Sequence, residues 1–130
     1  MFRNKIKWEL VNSTAQGPFA QGPFQLPTFY TYRVDAPGGW LVKFEFFKGR
    51  QDSTHALTYM PDPDHLWEVD KEITWDLLYD SQGPNWVKKT FRYQVPQGWL
   101  ITDIYAAENH FNCALVFLPG GEWDPEKEVS

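Results

Sequence analysis

Ten residues at 33–42 (RVDAPGGWLV) return at 92–101 (RYQVPQGWLI), and six at 56–61 (ALTYMP) return at 114–119 (ALVFLP). The blocks keep their order and, to within about one residue, their separation, which is the mark of an internal duplication. Upstream, Trp8, Glu9 and Leu10 answer Trp75, Asp76 and Leu77; downstream, Trp67 answers Trp123. The chain therefore reads as two copies of one unit, about 4–69 and about 72–126. The first copy is longer chiefly because AQGPF at 15–19 is repeated at once at 20–24, an insertion that a surface loop absorbs at little cost. A unit of about 60 residues buries a poor core alone, so the copies are expected to fold as one domain, 1–130, related by an approximate two-fold axis.

Alternation sets the local structure. Ile6, Trp8 and Leu10 alternate with Lys5, Lys7 and Glu9, and Ile73, Trp75, Leu77 and Tyr79 alternate with more polar residues, the pattern of half-buried strands. A second strand in each copy runs over about 29–36 and 86–95, then turns at Pro37-Gly38-Gly39 and Pro96-Gln97-Gly98. Because Gln97 tolerates a positive φ poorly, the expected connection is a three-residue loop with Gly39 and Gly98 left-handed. That loop pairs Tyr32 with Phe44 and Phe91 with Asp103, and leaves Arg33, Lys43, Glu45, Arg92 and Thr102 on a solvated face. Fourth strands follow at about 54–60 and 112–118. The fold class is all-β: two four-stranded antiparallel meanders in a barrel-like structure or a sandwich, the barrel preferred, with at most short helical turns such as 62–68.

Composition excludes several classes of function. A net charge of -5 does not suit a surface that neutralises phosphate, so nucleic acid is not an expected partner. The chain's 42% hydrophobic content is spread in short runs, and no apolar stretch reaches the roughly 18 residues of a membrane span. A single cysteine and no apolar leader point to the cytoplasm. No catalytic, cofactor or metal signature is present: Asp62, Asp64 and His65 lack regular ligand spacing, and His55 with His110 offers two ligands without a third. Cys113 reads as a small hydrophobe.

Seven tryptophans stand out. Six fall at equivalent places in the two copies, which suits scaffolding, whereas Trp86 has no counterpart and is the freer candidate for a ligand. Asp103 alternates onto the face of Trp99, Ile101 and Tyr105, where the first copy has Phe44, and a carboxylate among aromatic groups marks a candidate site. Trp86, Asp103, Tyr105, Phe91 and Phe44 are thus the candidate ligand-binding residues. In 114–118 both strand faces are apolar, so Ala114, Val116 and Leu118 form a candidate interface. Two readings follow: a binding module taking a small apolar or aromatic ligand in an aromatic concavity, or a protein-interaction domain acting as a homodimer. An enzyme using Asp103 with a histidine is the least supported, because no catalytic constellation is assembled in the sequence.

Overall fold

The computed structural model describes residues 5–14, 29–48, 52–70, 75–107 and 110–126, so the tandem AQGPF units lie outside the described residues. Among these residues eight strands follow one another: β1 (Glu9–Thr14), β2 (Phe29–Ala36), β3 (Gly39–Lys48), β4 (Asp52–Pro61), β5 (Asp76–Gln82), β6 (Trp86–Val95), β7 (Gly98–Ala107) and β8 (His110–Pro119). They form two antiparallel meanders, β1-β2-β3-β4 and β5-β6-β7-β8, as the alternation predicts. The two sheets stay separate and stack as a sandwich, so the preferred barrel closure does not form. Stacking buries one face of each sheet without the tilt and shear that closure demands. The 62–68 segment is a turn rather than a helix, held by the His65 N–H donating to the Asp62 carbonyl at 3.0 Å.

The pairing registers of the two sheets match position for position. Arg33 faces Val42 as Arg92 faces Ile101, and Phe44 faces Ala56 as Asp103 faces Ala114. Both first strands bulge at the same point, between Leu10 and Asn12 and between Leu77 and Tyr79. The hairpins close with two residues and not three, since Ala36 pairs with Gly39 and Val95 with Gly98. This shift of one residue moves one strand of each hairpin to the other face. Phe29, Thr31 and Arg33 therefore lie inward with Val42, Phe44 and Phe46; in the second sheet Leu100, Thr102 and Ile104 lie inward, and Trp99, Ile101 and Asp103 outward.

Gly39 is required by close approach rather than by a left-handed backbone: a Cβ there would stand 2.1 Å from the Met60 carbonyl oxygen. At Gly98 the same clash, 2.1 Å from the Leu118 oxygen, adds to a φ of 157°. The left-handed residue of the first hairpin is Gly38, at φ 73°, following Pro37 as in a type II turn.

The core lies between the sheets. Phe44 meets Trp75 edge-on at 5.6 Å, and Trp75 meets Tyr93 at 5.4 Å, so the inward face of β3 reaches the inward face of β6 through that indole. Cys113 of β8 hydrogen-bonds Thr54 of β4. The surfaces that meet are not equivalents of each other. The first sheet turns its arginine-bearing side inward, the second turns its arginine-bearing side out, and the two stack front to back.

Candidate functional site

Each sheet carries a guanidinium held between two indoles. In the first, Arg33 projects from β2 over the ring of Trp40 at 3.9 Å and the ring of Trp67 at 4.9 Å. Its Nε donates to Glu9 Oε1 at 2.7 Å, and its Nη1 donates to the Trp67 carbonyl. The two indoles meet edge to face at 6.0 Å. Planar Arg suits this place, since it stacks on aromatic faces while its edge donates in plane. Asp62 fixes the far side: its carboxylate accepts the Trp40 indole N–H at 2.9 Å and the backbone N–H groups of Leu66 and Trp67 at 3.0 and 2.9 Å. Burial pushes the Asp62 carboxyl up, but these three donors, with His65 nearby, outweigh it and hold its pKa below the ordinary value.

The second sheet repeats the arrangement. Arg92 lies over Trp99 at 4.3 Å and Trp123 at 5.1 Å, its Nε donates to Asp76 at 2.9 Å, and its Nη1 donates to the Trp123 carbonyl at 2.6 Å. Trp99 and Trp123 meet edge to face at 5.8 Å. In place of the Asp62 carboxylate, the Gly121 carbonyl accepts the Trp99 indole N–H at 2.8 Å. The surroundings differ: Trp67 is buried at the mouth of a groove that it shares with Tyr93 and Val95 of the second sheet, whereas Trp123 is half-buried on an open face.

Two sheet faces consequently look outward. That of the first sheet bears Tyr32, Leu41, Lys43, Leu57 and Tyr59; the Lys43 ammonium lies 4.5 Å from the Trp8 ring, 5.2 Å from the Tyr32 ring and 2.9 Å from Glu45. Burial, then the Glu45 charge, raises the Tyr32 phenol above its ordinary value. That of the second sheet places Trp86, Lys88 and Thr90 of β6 beside Tyr105 and Asp103 of β7. There the Lys88 ammonium stands 5.5 Å from the Trp86 ring and 5.8 Å from the Tyr105 ring, and Asp103 accepts a hydrogen bond from Thr90 at 2.7 Å.

No family model, no curated protein and no solved structure matches the chain.

The predicted ligand-binding residues thus divide. Trp86, Asp103 and Tyr105 share the outward face of the second sheet, while Phe44 and Phe91 are fully buried in the core on the other side of the backbone. Ala114, Val116 and Leu118 all point outward from β8, opposite Cys113, Leu115 and Phe117, which pack against the core. Burial pushes the Cys113 thiol up to about 11 against the lowering effect of its hydrogen bond to Thr54, so it stays protonated near neutrality. Among the described residues no three of His, Cys, Asp and Glu converge on one point, and no helix is long and apolar enough to cross a membrane.

The arginine stacks were missed by the sequence reading, which assigned Arg33 and Arg92 to a solvated face. The signal was present: each copy keeps one Arg seven residues before its Pro-x-Gly-Trp tryptophan, with an acid in its first strand and a tryptophan after its last. Among the described residues three buried polar atoms, Asn12 Nδ2, Thr31 Oγ1 and Trp75 Nε1, have no hydrogen-bond partner. Asn12 and Thr31 are cross-strand neighbours, and Trp75 packs on Phe44, which pairs with Thr31.

Proposed function

We propose that this chain is a binding module that works through the open faces of its two sheets, with a protein as partner. One observation carries the reading. Large apolar side chains remain in water on the outer edges of both sheets, Leu57 and Tyr59 on β4, Val116 and Leu118 on β8, although both strands already bury their other faces. Large apolar groups left in water on faces that also hold Tyr and Trp suit a contact surface. The fold supplies rigidity: each arginine stack clamps the strand ends and the segment that follows the sheet, so the faces are presented without an ordering cost.

The test is stability at high dilution. Leu57→Ser and Val116→Ser should leave the unfolding midpoint unchanged, because side chains kept for contact do not support the fold. A loss of about 1 kcal/mol or more from either would show that these residues serve folding and would remove the ground for the reading.

A second reading has its own observation. An open groove of about 300 Å³, lined by Trp67, Glu68, Tyr93, Gln94, Val95 and Pro96, lies where the loop after β4 meets β6, and its size suits one flat aromatic ring. Glu68 at the rim favours a cationic substituent on such a ligand. A thermal-shift screen of flat aromatic amines, repeated on Tyr93→Ala, tests it: a shift in the parent protein that the variant abolishes supports the groove, and no shift across the panel overturns it.

A further inference from the structure

The two outward faces are equivalents of the two faces that meet inside the molecule. By matched register, Ala114, Val116 and Leu118 on the outside of β8 occupy the places that Ala56, Thr58 and Met60 hold on the inside of β4. Likewise Leu57 and Tyr59 on the outside of β4 occupy the places that Leu115 and Phe117 hold on the inside of β8. Within the chain these inner sets face each other, since the sheets come closest along β4 and β8 and Thr54 bonds Cys113 there. The outer sets are therefore the two halves of the same contact, each lacking its mate.

We propose that copies of this chain associate head to tail, the outside of β8 in one copy seating on the outside of β4 in the next and repeating between molecules the packing of β8 on β4 within one. The proposal rests on the reading of the open faces as contact surfaces and commits it to one partner, a second copy. Exposure supports the choice. Among the described residues, Leu57 at 55%, Tyr59 at 43%, Val116 at 55% and Leu118 at 42% are the large hydrophobic residues left in water on β4 and β8, and all four sit in this seam; Leu77 and Tyr79, also exposed, lie on β5 at the far edge of the second sheet.

The charges agree. Where the inner faces carry Phe44 and Phe29, the outer face of the second sheet carries Asp103 and Lys88; where they carry Thr102 and Ile104, the outer face of the first carries Lys43 and Glu45. These lie on β3, β6 and β7, next to the seam; Arg92 and Asp76 add an ion pair to the outer face of the second sheet, so cations and anions balance on each face and neither repels a copy of the other. A contact between unlike faces is heterologous: it leaves one face of each kind free on every assembly, so association continues unless a ring closes.

Sedimentation velocity across a concentration series tests this with Leu57→Asp, which spoils one face, and Val116→Asp, which spoils the other. The parent protein should grow in mass with concentration, and each variant alone should associate at least ten-fold more weakly. An equimolar mixture of the two variants should form a one-to-one dimer and nothing larger, because each keeps the face that the other has lost. Should a charge unfold either protein, as circular dichroism would report, Leu57→Ser and Val116→Ser carry the same test. A parent protein that stays at 15.3 kDa throughout overturns the head-to-tail contact while leaving the broader reading to its own stability test. Association of Leu57→Asp undiminished, or a mixture that fails to pair, would mean a contact between like faces and overturns it too.

Discussion

Replacing Arg33 and Arg92 separately by Met places the same change in two copies of one constellation that differ in cover. At Arg33 the lost groups are a buried, charge-assisted bond to the Trp67 carbonyl, of the order of 1.5–3 kcal/mol, and stacking on Trp40 and Trp67 away from water, about 2 kcal/mol. The Glu9 partner is half in water and adds about 0–1 kcal/mol. Relief of the guanidinium's own desolvation offsets part of this, and Met keeps the unbranched stem, which leaves a net loss of about 3–4 kcal/mol. At Arg92 the carbonyl of half-buried Trp123 can turn to water and the Asp76 bond is exposed, so the loss falls to about 1–2 kcal/mol. Urea unfolding followed by far-ultraviolet circular dichroism at high dilution resolves the difference. With a slope of about 2 kcal/mol per molar, the midpoint falls by roughly 1.5–2 M for Arg33→Met and by under about 1 M for Arg92→Met. Equal losses, or a larger one at Arg92, would refute the argument that the second sheet's cover makes the first stack the costlier to break.

Two further outcomes follow from local geometry. Because its lowered pKa stabilises the folded protein above about pH 4, Asp62 should contribute to acid unfolding as the pH falls through that lowered value; in Asp62→Asn this part of the pH dependence should vanish, with a loss of about 2–3 kcal/mol at neutral pH, read by urea unfolding from about pH 2 to 7. Gly98→Ala should cost more than about 2 kcal/mol and Gly120→Ala about 1 kcal/mol, since both glycines have positive φ but a Cβ meets the Leu118 carbonyl only at Gly98; equal midpoints in thermal unfolding would show that the close approach is not what requires glycine there.

The fold class was legible because it depends on long-range features that survive in one sequence: alternation, turn residues and the order of two repeated blocks. The strands of β3 and β6 were assigned the correct buried sides, with Val42 and Phe44 in one and Phe91 and Tyr93 in the other. What failed was the loop between strands. Taking Gly39 and Gly98 as left-handed residues lengthened each hairpin by one and turned β2 and β7 over, which put Arg33 in water and Asp103 among the aromatic groups. A period of two makes that error total along a strand. The correct reading needed a fact that lies outside the hairpin, the carbonyls of Met60 and Leu118 pressing on those glycines from the next strand. The choice of which side of each sheet faces the other is likewise absent from periodicity, since both sides of both sheets carry aromatic groups.

The front-to-back stacking gives the order of synthesis a physical meaning. β1 to β4 leave the ribosome first, yet the inward face they build, with Phe29, Phe44 and Phe46, has its lid only in β6 to β8. At about 5–20 residues per second that face waits several seconds for its cover. The second meander has no such wait, because the surface on which it settles is already made. A circular permutant that opens between the copies and begins with β5 would reverse the dependence. The face left bare during its synthesis would then be the one built from Phe91, Leu100 and Ile104, and the nascent first half would lack an arginine stack on the side awaiting cover.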